Sequence, residues 1–170
     1  MKYRPHNYQQ YAADFILDHP VCCLMLDMGL GKTVITLSAL WELALDRFDI
    51  GKILVIAPKR VATDTWPKEL QKWEHLTGLT ASLVVGSQRE DALACPAFLY
   101  IINRENVSWL VQNHRWDFDT VVIDELSSFK SNQAQRFKAM KKVRPLVNRV
   151  IGLTGTPAPN SLLDLWPQMY

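Results

Sequence analysis

Cysteine and histidine are scarce in this chain, which argues against two common ways of stabilising a small fold. Its 170 residues include three cysteines and four histidines. The histidines are scattered and no cysteines have the spacing of zinc ligands, so no zinc site is expected. Cys22 and Cys23 are adjacent in an apolar run, where small core residues are typical. An odd number of cysteines without a disulfide pattern indicates a reducing, cytoplasmic environment.

Long hydrophobic runs and low-complexity tracts are also absent. No apolar stretch reaches the roughly 18 residues of a membrane span, and the first residues do not resemble a signal peptide, so no membrane partner is expected. Glycine and proline number only seven and nine, and 48% of the residues are hydrophobic, which argues against disorder. The length suits one domain with a sizeable core.

A phosphate-binding loop is indicated by the sequence D-M-G-L-G-K-T at residues 27–33. It follows an apolar run of strand length and precedes apolar residues at helical spacing, which is the context that such a loop requires. Lys32 is expected to reach the β- and γ-phosphates, and Thr33 to place its hydroxyl on Mg²⁺. Leu26 stands where the usual pattern has its first glycine. The plain alternative is an ordinary strand–turn–helix with a surface lysine.

A pair of carboxylates follows a second apolar run. Residues 120–123 read T-V-V-I, as expected for a buried parallel strand, and Asp124 and Glu125 come directly after it. Ligands of open α/β sheets bind beyond the carboxyl ends of the strands. Asp124 is therefore expected to hold Mg²⁺ and Glu125 to orient or deprotonate an attacking water. The alternative is an acidic pair that caps the next turn.

A third segment makes the pattern specific. Residues 149–153 predict a strand, L-T-G-T-P occupies residues 153–157, and D-L-W follows at 164–166. The three segments, in this order and spacing, resemble motifs I, II and III of the Swi/Snf-related branch of superfamily 2 helicases. Residues 54–60 and 100–105 resemble motifs Ia and Ib more loosely, and residues 4–9 resemble the adenine-reading segment. The resemblance runs from about residue 3 to the last residue.

One motif departs from the family pattern. Motif II ends in Leu126 and Ser127, where the family has Ala-His. Because the family's histidine helps to couple hydrolysis to motif III, we expect that coupling to involve Ser127 or Ser128 instead. The short loops suggest a phage or bacterial member, in the cytoplasm of a bacterial or phage-infected host cell.

The resemblance implies a set of site residues. The residues expected to bind the nucleotide, ATP with Mg²⁺, are Gln9, Arg4, Asp27, Met28, Gly29, Leu30, Gly31, Lys32 and Thr33. Catalysis is assigned to Lys32, Asp124 and Glu125, with Thr33 and Asp124 on the metal, and coupling to Thr154, Gly155 and Thr156. Candidate nucleic-acid contacts are Lys59, Arg60, Asn103, Arg104 and Lys130. Plain alternatives are a solvent-facing helix residue for Gln9, turn capping for the two threonines, and ordinary surface residues for the last group.

The predicted fold is α/β, because helical and strand patterns alternate along the chain. Predicted helices cover residues 5–18, 32–46, 88–94, 105–114 and 132–143, with others starting near Pro67 and in the last residues. Predicted strands cover residues 21–26, 52–57, 81–85, 97–102, 119–123 and 149–153. Together with the resemblance, they imply a RecA-like three-layer sandwich with a mostly parallel central sheet and helices on both faces.

The resemblance further implies that residues 1–170 form the first lobe of a two-lobe motor, with the second RecA-like lobe outside this chain. An arginine finger of that lobe can contribute about 10³–10⁵ in rate, so the chain alone is expected to hydrolyse ATP poorly. The expected partner is duplex DNA, bound without sequence specificity by a DNA-dependent ATPase that translocates along it.

A cluster of basic residues supports a nucleic-acid partner. Residues 126–163 contain no acidic residue. Their cations are Lys130, Arg136, Lys138, Lys141, Lys142, Arg144 and Arg149. Clustered cations neutralise phosphates and give salt-dependent binding. The alternatives are a solvated helix face or a surface against the missing lobe.

Several other functions share these motifs. The lobe could belong to a strand-separating helicase or a restriction-enzyme motor, or act as a nucleic-acid-binding module without catalysis. A nucleotide kinase is a weaker alternative, because kinases do not need the motif III turn. The tryptophans are most simply interpreted as packing residues, with base stacking considered only for Trp66.

Overall fold

The computed structural model describes residues 1–126 and 133–155, apart from the side chains at 133, 134 and 137. In these ranges the strands are β1 (Val21–Met25), β2 (Ile53–Ala57), β3 (Ala81–Val84), β4 (Leu99–Asn103), β5 (Thr120–Ile123) and β6 (Arg149–Thr154). The α-helices are α1 (Asn7–Asp18), α2 (Lys32–Trp41), α3 (Trp66–Lys72), α4 (Arg89–Ala94), α5 (Val107–Asn113) and α6 (Gln133–Val143). π-Helical turns follow α2 at Glu42–Asp46 and precede α3 at Val61–Thr65.

The described strands form one six-stranded sheet in the order β1-β6-β5-β2-β4-β3, and every neighbouring pair is parallel. The last strand in the chain, β6, is thus inserted between the first strand and β5. Met25 of β1 lies opposite Thr154 of β6, and Ile123 of β5 lies opposite Gly152. All residues of β2, β4, β5 and β6 are buried, as expected for strands covered on both faces.

Two hydrophobic cores flank the sheet. On one face α1, α2 and α3 contribute Ile16, Ile35 and Trp66 to the first core. On the other face α5 contributes Val107 and Leu110, with residues of α4 and α6 packed beside them. The predicted three-layer α/β sandwich is therefore confirmed.

The predicted element boundaries agree with these ranges to within about two residues. The predicted helix at 32–46 is α2 continued by the π-helical turn, and α3 has Pro67 in its first turn, where a missing N–H costs no hydrogen bond. The helix predicted to start in the last residues lies outside the described residues. In the described part of the chain no helix has the length and apolar character needed to cross a bilayer.

Arg149 ties β6 to the end of α1. Its guanidinium is nearly buried and donates to the backbone carbonyls of Ile16, Leu17 and His19. Carbonyls at a helix C-terminus have no partner within the helix, so these bonds satisfy groups that would otherwise be left unpaired. Arg149 is thus a structural cation. It does not belong to the basic surface predicted from residues 126–163.

We predict that Arg149→Met lowers the free energy of unfolding by about 3 kcal/mol, because two buried carbonyls and one partly buried carbonyl lose a charged donor. Urea denaturation measures this change. Arg47→Met is the matched control, since Arg47 forms an exposed ion pair with Glu42 and its loss should leave the midpoint nearly unchanged. Equal midpoints for the two variants would contradict this role of Arg149.

Candidate nucleotide site

The carboxyl ends of β1, β6 and β5 meet at one edge of the sheet, where a cavity of about 810 Å³ opens. Most of the residues predicted for nucleotide binding, catalysis and coupling line this cavity. They are Arg4, Gln9, Met28, Gly29, Gly31, Lys32, Thr33, Asp124, Glu125, Thr154 and Gly155. The insertion of β6 between β1 and β5 makes neighbours of three segments that are far apart in the sequence.

The loop between β1 and α2 has the backbone that its glycines allow. Gly29 and Gly31 have φ values of 83° and 81°, in the left-handed region that side chains disfavour. Gly31 also caps α2, whose first residues line the cavity. A Cβ atom at Gly31 would lie 2.7 Å from Nε2 of Gln9, whereas one at Gly29 would meet nothing within 4 Å. Gly31 is therefore needed for space as well as for conformation.

Lys32 is held over this loop by backbone carbonyls. Its Nζ donates to the oxygen of Leu26 at 2.6 Å and to that of Asp27 at 3.0 Å. The side chain of Leu26 packs against the first core. A side chain is tolerated at this position because it points into the protein, which accounts for the missing first glycine of the usual pattern.

Gln9 connects the start of α1 to the same loop. It is only 8% exposed, and its Nε2 donates to the carbonyl of Leu30 at 3.2 Å. Its Oε1 accepts from the backbone N–H of His6 at 3.0 Å, and the Tyr8 hydroxyl donates to the Leu30 carbonyl. Gln9 therefore has a protein partner for both ends of its amide. Its predicted reading of adenine, with the exposed Arg4 nearby, stays a prediction.

Asp124 is the most constrained side chain of the site. It is 8% exposed, and its Oδ2 accepts from the indole Nε1 of Trp66 at 2.9 Å. Its Oδ1 accepts from the backbone N–H of Glu125 at 2.9 Å. Burial raises the pKa of Asp124 above its usual range and the Glu125 carboxylate adds to this, while Trp66, the Glu125 N–H and Lys32 oppose it.

Glu125 has a strained backbone beside this carboxylate. Its φ is 52°, which is rare for a residue with a side chain and typically costs about 1–3 kcal/mol. Its Oε2 lies 3.7 Å from Nη2 of Arg104, a largely shielded cation at the end of β4. Arg104, predicted as a contact to a nucleic-acid strand, thus lies against the candidate catalytic carboxylate.

The turn after β6 directly adjoins the loop after β1. Thr154 is buried, and its carbonyl accepts from the N–H of Leu26 at 3.2 Å. A Cβ atom at Gly155 would lie 3.5 Å from Nζ of Lys32. Two of the predicted coupling residues therefore contact the phosphate loop, and the third, Thr156, lies outside the described residues.

The oxygen donors of the site suit Mg²⁺ carried by a nucleotide. Among the described residues no group of three or more histidine, cysteine, aspartate or glutamate side chains could hold a metal by itself. The Thr33 hydroxyl and the Asp124 and Glu125 carboxylates line one cavity. Mg²⁺ commonly takes one or two carboxylates and completes its shell with phosphate oxygens and water, so these residues fit it.

The remaining predicted nucleic-acid contacts are dispersed. Lys59 and Arg60 are exposed just after β2, at the same edge as the cavity. Asn103 is buried, donates to Glu105 at 2.7 Å and accepts from Asn106 at 2.8 Å, so a phosphate contact would require these bonds to break. Lys130 lies outside the described residues.

The predicted basic surface is smaller than its sequence suggested. Lys138, Lys141 and Lys142 of α6 are exposed. Arg144 is partly buried and donates to the Val147 carbonyl, while Arg149 is taken up by the end of α1. Charge counting cannot distinguish these internal cations from surface ones.

Two residues beside the site have contacts that were not predicted. Trp66 was interpreted as a packing residue, and its complete burial excludes base stacking, but its hydrogen bond to Asp124 joins positions 58 apart in the sequence. Leu126 is fully buried, and a Cβ atom at Gly152 of β6 would lie 2.9 Å from its Cδ2. The leucine of the altered motif II thus fills the space that Gly152 leaves, a pairing to which no local pattern points.

Comparison with known proteins identifies the family. The model of the SNF2-related domain matches residues 8–169. The chain belongs to the SNF2-related domain family. It is therefore a domain of the helicase superfamily 2 type, and this family uses nucleotide and Mg²⁺ in general. The predicted Swi/Snf-related branch is confirmed.

Individual relatives support this family assignment. Protein p41 of the Acyrthosiphon pisum secondary endosymbiont phage 1 is 36% identical over 178 residues, which cover 99% of this chain and 39% of p41. An uncharacterized ATP-dependent helicase of Mycoplasma genitalium is 33% identical over 82% of this chain and 14% of its own length. The chain thus spans well under half the length of these relatives.

Solved structures agree with the fold. The SWI2/SNF2 ATPase core of Sulfolobus solfataricus, solved in complex with double-stranded DNA, superposes with a TM-score of 0.79 and 26% identity over 99% of this chain and 36% of that one. The UvsW helicase of bacteriophage T4 gives a TM-score of 0.70 at 17% identity over 99% of this chain and 58% of that chain, and supports the fold alone.

The two loop glycines allow a matched test of the site's geometry. Gly29→Ala and Gly31→Ala should each cost about 1 kcal/mol of stability, because both place a side chain at positive φ. Gly31→Ala should lose further stability beyond this shared backbone strain, since its methyl group displaces the Gln9 amide from the Leu30 carbonyl. Thermal unfolding measures both effects.

A second substitution isolates the contact with Gln9. Adding Gln9→Ala should remove most of the extra loss in the Gly31→Ala background, leaving only the 3.2 Å approach of the methyl group to Cγ1 of Val34. It should bring no relief to Gly29→Ala. Additive losses in both backgrounds would show that Gln9 does not pack against Gly31 as described.

Proposed function

We propose that this chain is the ATP–Mg²⁺-binding lobe of a DNA-dependent ATPase that translocates on duplex DNA. The observation that carries the proposal is the convergence of Lys32, Asp124 and Thr154 on one cavity, at the N-terminus of α2. Ordinary strand–turn–helix units do not bring a lysine, a buried carboxylate and a third turn to one place. The family membership makes phosphate chemistry the natural use of that place.

The residues of the cavity divide the work of phosphoryl transfer. In this proposal the loop N–H groups and Lys32 bind the β- and γ-phosphates, with the positive end of α2 behind them. Thr33 and Asp124 hold Mg²⁺, which neutralises charge on the phosphate oxygens. Glu125 orients the attacking water, and its partner Arg104 limits the directions in which its carboxylate can point.

Duplex DNA is the proposed partner because of one relative and several exposed cations. The Sulfolobus ATPase core, similar over almost all of this chain, was solved with double-stranded DNA. Here the exposed Lys59 and Arg60 lie at the cavity edge of the sheet, and α6 adds exposed lysines. Contacts of this kind bind phosphates without reading sequence.

Efficient turnover is proposed to need a second RecA-like lobe. This chain corresponds to 36% of the Sulfolobus ATPase core. Its described residues place Lys32, Asp124 and Glu125 in an open cavity at one edge of the lobe, where a second lobe could add an arginine to the transferring phosphate. A cytoplasmic setting in a bacterial or phage-infected cell is proposed as well, since one relative is a phage protein.

Binding of a fluorescent ATP analogue with Mg²⁺ tests the proposal. We expect Lys32→Ala to weaken binding at least tenfold, because the main cation facing the phosphates is lost, about 1.4 kcal/mol or more. Its melting temperature should stay near that of the unmodified chain. Lys68→Ala, which removes an exposed lysine paired with Asp64, is the matched control and should bind normally.

Duplex DNA added to the same titration separates the alternatives. A change in nucleotide affinity with DNA, together with slow hydrolysis, supports a motor lobe that needs its partner. Salt-dependent DNA binding without nucleotide binding would instead indicate a non-catalytic module. Rapid DNA-stimulated hydrolysis by this chain alone would overturn the requirement for a second lobe.

A further inference from the structure

The indole of Trp66 makes a buried hydrogen bond to the candidate magnesium carboxylate. Trp66 begins α3, is 0% exposed, and packs in the core between this helix and the sheet. Its Nε1–H donates to Oδ2 of Asp124 at 2.9 Å. The bond connects a helix on one face of the sheet to the carboxyl end of β5, and the bond itself is buried.

This bond fixes the plane of the carboxylate. The other oxygen, Oδ1, accepts from the backbone N–H of Glu125, and the backbone N–H of Asp124 donates to Ile56 of β2. With one partner on each oxygen and its own backbone in the sheet ladder, the Asp124 carboxylate cannot rotate freely. A carboxylate has about four lone-pair sites, so each oxygen keeps one for a ligand in the cavity that Asp124 lines.

A tryptophan suits this task for a chemical reason. The indole N–H is a donor only and carries no charge, so it orients the carboxylate without neutralising it. A lysine or arginine at the same place would compete with a cation for the carboxylate. The large apolar ring also fills the core, which keeps the donor in one position.

We propose that Trp66 is a positioning residue for magnesium, acting by holding the Asp124 carboxylate in the orientation that the metal requires. The proposal rests on the function proposed above, because it needs Mg²⁺ and nucleotide in this cavity. Partners of metal ligands commonly change metal affinity 10- to 100-fold when they are removed. Loss of the Trp66 donor should therefore reduce the gain in nucleotide affinity that Mg²⁺ brings. It should leave the nucleotide affinity measured without Mg²⁺ unchanged.

The test compares nucleotide affinity with Mg²⁺ and with EDTA. The probe is a fluorescent ATP analogue, and the variant is Trp66→Phe, which keeps an aromatic ring but lacks the donor. We expect its affinity in EDTA to match that of the unmodified chain, and the ratio of affinities with and without Mg²⁺ to fall about tenfold. Trp116→Phe is the matched control, because this indole donates at 2.9 Å to the Phe118 carbonyl, before β5 begins and away from the cavity.

A double variant distinguishes positioning from general packing. In an Asp124→Asn background, Trp66→Phe should have no further effect on the Mg²⁺ ratio, since the group through which it acts has gone. Additive losses would mean that Trp66 acts by another route, and would overturn the proposal.

A spectroscopic measurement keeps the test decisive if Trp66→Phe fails to fold. In the unmodified chain the indole ¹H–¹⁵N resonance of Trp66 should shift when Mg²⁺ joins the nucleotide, because the metal draws electron density from the accepting carboxylate. The Trp116 resonance should stay in place. A Trp66 resonance that does not move would overturn the proposal.

The outcomes distinguish a failure of the proposed role of Trp66 from a failure of the proposed nucleotide-binding function. If the unmodified chain binds the nucleotide more tightly with Mg²⁺ while folded Trp66→Phe keeps the same ratio, the role of Trp66 is wrong and the proposed function stands. If the unmodified chain binds no nucleotide under either condition, both are wrong.

Discussion

The position of β6 between β1 and β5 is the constraint on which the site depends. Parallel strands present their carboxyl ends at one edge, so each neighbour in the sheet delivers its following residues to the same place. β1 delivers the phosphate loop, β5 delivers Asp124, and β6 delivers Thr154 between them. The tight approach of Gly152 to Leu126 and the bonds of Arg149 to α1 both hold β6 in place.

Electrostatics at this edge are arranged around a carboxylate that burial disfavours. Desolvation raises the pKa of Asp124, and the N–H donors of Trp66 and Glu125, together with Lys32, favour its charged form. None of these groups removes the charge, so the carboxylate stays available to a cation. The protein meets the cost of burying Asp124 through packing, since Trp66 and β5 belong to the core. The candidate site therefore depends on the packing of core residues behind Asp124.

Local patterns predicted the elements and their functional ends, because strands, phosphate loops and helix starts have short-range signatures. Residues 27–33 and 124–125 were assigned from such patterns, and the ones that line one cavity are Met28, Gly29, Gly31, Lys32, Thr33, Asp124 and Glu125. The strand order and the Trp66–Asp124 bond could not be predicted. Both depend on contacts between positions far apart in the sequence, and a single sequence does not indicate which distant residues are in contact. The prediction for Arg149 was wrong because its charge alone suggested an exposed position. In the fold its guanidinium is bonded to carbonyls at the end of α1. Asn103 likewise has its amide engaged inside the protein.

The central claim is that one edge of the sheet binds a nucleotide with its metal, and backbone NMR on the nucleotide-bound chain tests it most directly. On adding ADP and Mg²⁺, the account predicts amide shift changes concentrated at Gly29 to Thr33, at Asp124 and Glu125, and at Thr154 and Gly155. The opposite edge offers a smaller cavity of about 310 Å³, lined by Lys52, His114 and Asp117. Shift changes concentrated there, with the phosphate loop unaffected, would contradict the account.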